Sequence, residues 1–243
     1  MPDFDQVASA IAGVPFMSPA QGRRVFDHIR ATSARDVLEL GTAHGVGAAY
    51  MAAAGANVTT VDFAGASYDP SPEEVRRRAG VDFTIVREFS SYTWWLKTQL
   101  EADPEPRYDF VYLDGAKNWT IDGLAVVLVE KLLRPGGWLL MDDLEWTYAQ
   151  DPRRDATDGV VHRELSESER TQPHLRAVFD LIVATHPSFT ELRREDEWWG
   201  WARKNPGAPR TYTVTSSQSL PTLITNTARK AARKARRRVA SWK

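Results

Sequence analysis

A chain of 243 residues with 42% hydrophobic and 26% charged side chains can bury the core of one large α/β domain or two small ones. It contains no cysteine, which excludes disulfides, zinc–thiolate centres and a thiol nucleophile. The net charge of −1 conceals a split: residues 1–197 hold all 32 acids and 20 of the 31 bases, so an acidic body precedes a basic tail.

In chain order, MPDFDQVASAIAG opens with two acids and lacks the basic leader and apolar run of a signal peptide. No stretch approaches the ~20 apolar residues of a membrane span, so the expected location is the cytoplasm. Residues 1–34 read as a helical cover. From Arg35 onward, strand-length apolar runs DVLEL (36–40), NVTTVDF (57–63), DFTIV (82–86), YDFVYLD (108–114) and GWLLMDD (137–143) alternate with helix-length segments. The last of these helices is expected to run to the Pro-Gly-Gly at 135–137. Five strands alternating with helices predict a parallel sheet covered on both faces. Beyond a polar stretch from Leu144 to Gln172 and a helical PHLRAVFDLIVATH, the runs FTELRR (189–194) and WWGWARK (198–204) lie three residues apart. That gap is too short for a parallel crossover, so they predict an antiparallel hairpin at the sheet edge.

The first strand runs into LELGTAHGVGAAYMA, whose Gly41, Gly45 and Gly47 let backbone amides approach a ligand at a helix start. The spacing is G-x-x-x-G-x-G, unlike the G-x-G-x-x-G of dinucleotide sites. Glu39, two residues before Gly41, would repel a pyrophosphate and attract an ammonium group. Asp62 ends the second strand, where an acid accepts hydrogen bonds from ribose hydroxyls. The pair suits a nucleoside carrying a cationic amino-acid tail.

In Glu39-Leu-Gly-Thr-Ala-His-Gly, an acid at the end of strand two and LLRPGGWLLMDD, the chain resembles class I S-adenosylmethionine-dependent methyltransferases. Asp114-Gly-Ala-Lys117-Asn-Trp followed by Asp142-Asp143 is similar to the metal-dependent O-methyltransferases among them, the catechol and caffeoyl-CoA enzymes and the bacterial sugar and antibiotic enzymes. The resemblance covers roughly residues 14–204. It implies a Rossmann-like α/β fold: a seven-stranded, mostly parallel sheet with an antiparallel last strand and helices on both faces. The implied domains are 1–34 as cover, 35–204 as the methyltransferase domain and 205–243 as a basic tail. The implied cofactor contacts are Met17, Glu39, Gly41, Thr42, Gly45, Asp62, Phe63, Ser90 and Asp114. The implied ligands of Mg²⁺ or another divalent cation are Asp114, Asp142 and Asp143, all hard oxygen donors. Lys117, with Asp114 beside it, is implied as the catalytic base for an acceptor hydroxyl whose acidity a metal would raise. The chain departs from the pattern at Ala48, where many relatives have Ser or Thr; at Asp143, where the catechol enzyme has Asn; and at Ala116, where sugar-modifying relatives often carry a second acid. The last departure favours Lys117 over a sugar-type base.

Trp94, Trp95, Trp119 and Trp146 fall just past strand ends, where an acceptor or the adenine could stack. His44 reads as a turn residue, and His28, His162, His174 and His186 as structural or exposed. The stretch from Leu144 to Gln172 is expected to select the acceptor. Residues 226–243 read either as a basic amphipathic helix for an anionic membrane surface or as a solvated tail. The expected partners are a small-molecule or sugar hydroxyl acceptor, that membrane surface and a second copy of the chain. A nucleic-acid methyltransferase is an alternative, opposed by the acidic body and by the lack of an Asn/Asp-Pro-Pro-aromatic motif. A non-catalytic S-adenosylmethionine-binding domain is another, under which Lys117 and three carboxylates have no purpose.

Overall fold

In the computed structural model, which describes residues 2–151, 164–196 and 198–207, seven strands form one sheet in the order β3-β2-β1-β4-β5-β7-β6. The strands are β1 Asp36–Leu40, β2 Asn57–Phe63, β3 Thr84–Glu88, β4 Tyr108–Leu113, β5 Leu133–Met141, β6 Phe189–Glu195 and β7 Trp199–Lys204. The first five run parallel, and β7 pairs antiparallel with both β5 and β6. The predicted hairpin is present, and its second strand enters the sheet while β6 forms the edge.

Two strands differ from the sequence reading by more than one residue. β3 begins two residues later than DFTIV, and β5 begins before the Pro-Gly-Gly turn. Pro135 explains the second shift, because a proline biases the preceding residue away from helical backbone. The helix therefore ends at Leu132, and Leu133 is already extended.

Helices α1 (Phe4–Ala10), α2 (Pro19–Thr32), α3 (Val46–Ala53) and α4 (Pro72–Ala79) cover one face; α5 (Tyr92–Leu100), α6 (Trp119–Leu132) and α8 (His174–Val178) cover the other. The short α7 (Glu167–Thr171) precedes α8, which continues as a π turn, Phe179–Val183. Side chains alternate along each strand: Phe110 and Tyr112 enter the α1–α4 layer, Val111 and Leu113 the opposite one. Local sequence sets the helix starts. Ser18 caps α2 in a reciprocal box with Gln21, Ser71 caps α4 ahead of Pro72, and Asn118 caps α6 by accepting from the Thr120 and Ile121 amides. On the far side, buried Lys204 of β7 lies 3.1 Å from Glu130 Oε1 of α6 and donates to the Leu133 carbonyl. Among the described residues no helix is long and apolar enough to cross a membrane. The tail at 226–243 and the middle of the 144–172 stretch lie outside the described residues.

His28 of α2 sits among Trp201, Trp138 and Phe110, with ring centroids 4.6, 5.2 and 5.3 Å away, and its Nε2 has no hydrogen-bond partner. Burial, aided by the Arg193 charge and opposed by Glu195, lowers its pKa from 6.5 to about 4. The folded state therefore holds the neutral ring. Its contribution to stability is complete above pH 6.5 and is lost as pH falls through about 4. We expect a loss of about 2–3 kcal/mol across that window, seen as a falling melting temperature. His28→Phe should flatten that part of the profile; an unchanged slope would reject the assignment.

Candidate active site

The carboxyl ends of β1, β2, β4 and β5 form one edge, and register decides which side chains meet there. Glu39 is the partner of Thr60 on β2 and of Tyr112 on β4, so the three project to the same face. Buried Glu39 accepts a 2.5 Å hydrogen bond from the Thr60 hydroxyl, which lies 2.6 Å from the Thr42 hydroxyl. Its carboxylate also sits beneath the first turn of α3, with the Ala48 amide acting on it as a more distant donor, and a Cβ on Gly47 would fall 2.2 Å from Oε1. Burial pushes the Glu39 carboxyl well above the usual range; the Asp114 and Asp62 charges add to that, and the Thr60 and Ala48 hydrogen bonds oppose it.

Gly41 joins this acid to the next strand. Its φ is +104°, and a Cβ there would lie 2.4 Å from the Asp114 carbonyl oxygen. Only glycine allows the loop and the end of β4 to approach so closely. Asp62 holds the loop from the other side, accepting from the Ala43 amide at 2.8 Å and from the Phe63 amide at 2.7 Å. The cleft that results, about 260 Å³ including its open mouth, runs from the Pro15–Met17 strap past Glu39, Gly41 and Thr42 to Tyr112 and Asp114.

Asp114 lines this cleft, and the lysine and the other two acids gather behind it. Leu113 and Met141 are paired across β4 and β5, and the Asp142 amide donates to the Leu113 carbonyl, so Asp114 and Asp142 leave neighbouring strands side by side. Lys117 and Asp143 both adopt left-handed backbone, with φ +57° and +58°. That turns the Lys117 ammonium between Asp114 Oδ1, at 2.6 Å, and the Asp143 carboxylate. Asp142 is buried; one oxygen accepts from the Tyr112 hydroxyl and the other from the Asp143 amide. The Trp199 indole N–H makes no hydrogen bond of normal geometry and acts on Asp142 as a more distant donor. Burial and the Asp114 charge push Asp142 up to about 7, against the pull of Tyr112 and Lys117.

Of the expected cofactor residues, Met17, Glu39, Gly41, Thr42 and Asp114 line the cleft together. Asp62, exposed Phe63 and exposed Ser90 lie at the ends of β2 and β3 on the same edge, outside the cleft lining. Gly45 begins α3 against Pro72 and Phe83. The indoles divide. Trp119 and Trp94 are partly open to solvent, Trp95 packs on the core and Trp146 packs edge-on against Tyr148. Sequence reading missed Tyr112 and Thr60. Tyr112 stands two residues before Asp114 and Thr60 two before Asp62, the strand spacing that puts residues on one face.

The expected metal site is matched in donor chemistry and differs in arrangement. Three carboxylates with no nitrogen or sulfur donor suit a hard divalent cation. Among the described residues, however, no three His, Cys, Asp or Glu side chains are grouped to hold a metal, and the charge between Asp114 and Asp143 is the Lys117 ammonium. The donor set fits a divalent cation on condition that the cation takes the place of that ammonium.

The seven-stranded sheet with its antiparallel β7 is the Rossmann-like fold of class I methyltransferases. Residues 38–144 match a family model described as a methyltransferase domain. No curated protein matches the sequence significantly. An O-methyltransferase of Bacillus cereus, solved with S-adenosylhomocysteine, is 19% identical with a TM-score of 0.57, covering 84% of this chain and 93% of that one. The O-methyltransferase TomG of Streptomyces achromogenes, solved with S-adenosylmethionine, is 19% identical with a TM-score of 0.55, covering 83% and 89%. The methyltransferase MycE of the mycinamycin pathway, solved with Mg and S-adenosylhomocysteine, is 15% identical with a TM-score of 0.52, covering 93% and 59%.

Proposed function

We propose that the protein is an S-adenosylmethionine-dependent O-methyltransferase acting on a hydroxyl of a small molecule or sugar, with Lys117 as the general base. The observation that carries this reading is the position of the Lys117 ammonium against Asp114 and Asp143, where Asp114 abuts the Gly41 turn and lines the cleft that also holds buried Glu39. The fold shared with TomG and the Bacillus cereus enzyme supports the same donor. S-adenosylmethionine supplies a methyl group on a sulfonium, open to in-line attack by oxygen. Glu39 receives the donor's ammonium, Asp62 its ribose hydroxyls, and the Met17 strap covers its methionine end.

A hydroxyl is a weak nucleophile at neutral pH, so its proton must leave as the oxygen–carbon bond forms. Lys117 takes that proton as the neutral amine. Asp114, Asp142 and Asp143 would hold a divalent cation, which would lower the pKa of a bound hydroxyl; MycE with its Mg supports this choice. With those carboxylates committed to a cation, Lys117 would give up its two ion-pair partners and be free to face the acceptor. The test is transfer of labelled methyl to a panel of phenols, catechols and sugars, with Mg²⁺ and with EDTA. Methylated oxygen, lost in EDTA and restored by Mg²⁺ in excess, is the expected result. Methylated nitrogen would overturn the O-methyl reading, and full turnover in EDTA the metal.

A further inference from the structure

We infer that Tyr92 and Asp122 are positioning residues for Lys117, a role resting on the base assignment above. A lysine with φ +57° is in a region that side chains other than glycine occupy at a cost of about 1–2 kcal/mol, so the surroundings must hold it there. Both flanking amides are held by one buried pair. The Ala116 amide donates to the Tyr92 hydroxyl at 3.0 Å, and that hydroxyl donates to Asp122 Oδ1. The Asn118 amide donates to Asp122 Oδ2 at 2.7 Å, and the Asp122 amide returns a bond to the Asn118 carbonyl at 2.9 Å. Asp122 is fully buried and Tyr92 nearly so. The ring also lies flat against the loop, since a Cβ on Gly115 would fall 2.5 Å from Tyr92 Cε1.

A simple cap of α6 does not require this arrangement. Asn118 already caps the helix with its own side chain, and neither the tyrosine nor its bond to Ala116 lies on the α6 backbone. The carboxylate and phenol instead close a ring of hydrogen bonds around a single residue, Lys117. Fixing residues 116 and 118 fixes the Cα–Cβ direction of residue 117, and that direction aims the amine at Asp114 and Asp143. Tyr92 enters from α5 and Asp122 from α6, two elements with no acid or base of their own in the cleft.

Competitive acetylation with acetic anhydride, read by peptide mass spectrometry, tests the clamp without any acceptor. Lys97, with an exposed side chain, and Lys204, buried on the far side, serve as references. In the intact protein Lys117 should react far more slowly than Lys97. In Tyr92→Phe, which keeps the ring against Gly115, and in Asp122→Asn, Lys117 reactivity should rise about five- to tenfold, the factor one lost hydrogen bond accounts for. Lys204 should stay protected. Unchanged Lys117 reactivity in both variants would overturn the clamp; so would equal gains at Lys117 and Lys204, which signal general loosening. Turnover of Lys117→Met decides the base assignment separately, so a failed clamp and a failed base give different results.

Discussion

Replacing Lys117 by methionine should lower methyl transfer by about 10²- to 10⁴-fold, the range a positioned general base supplies, while binding of S-adenosylmethionine stays unchanged. The substitution keeps the length and apolar stem of the side chain and removes only the amine. Of the cofactor residues lining the cleft, Met17, Glu39, Gly41 and Thr42 do not bond Lys117, and Asp114, which does, keeps its carboxylate, so calorimetric titration should register little change. The loss should fall on kcat, because proton removal belongs to the transition state and not to the bound ground state. Some loss of charge balance is also expected: Asp114 and Asp143 no longer share an ammonium, so a divalent cation should bind the variant more tightly. Turnover within about threefold of the original would remove Lys117 from the chemistry.

The second large effect concerns Glu39. Changing it to glutamine should weaken S-adenosylmethionine about 30- to 1000-fold, the cost of removing one partner of a desolvated charge pair. Glutamine has nearly the same shape and can still accept from Thr60, so the fold should persist. The free protein holds this carboxyl raised by burial, and an arriving ammonium favours its ionised form. Binding should therefore release a proton, and affinity should strengthen as pH rises. Calorimetry in buffers of different ionisation enthalpy reads this directly; a buffer-independent enthalpy, or affinity unchanged in the variant, would place the ammonium elsewhere.

Much of this architecture is visible in the sequence because parallel strands are buried on both faces and leave near-continuous apolar runs. β1 and β2 coincide with DVLEL and NVTTVDF, and the adjacency of Asp114 and Asp142 follows from strand order alone. The meeting of Lys117 with Asp143 was not legible, because it depends on left-handed backbone at both residues, and lysine and aspartate carry no glycine-like signal for it. The same holds for Tyr92 and Asp122. They are thirty residues apart, on different helices, and each reads as an ordinary helix residue until the loop between them is placed.

The placement of β7 between β5 and β6 has a consequence for biosynthesis. As the polypeptide leaves the ribosome, β5 can pair with β4 as soon as Met141 is available, but its other side waits until Trp199–Lys204 emerges. During that interval an apolar strand presents unpaired amides and carbonyls, a template for wrong partners. Trp199 and Trp201 arrive with the strand that closes it, so late truncations ahead of Trp199 should yield chains that associate instead of folding.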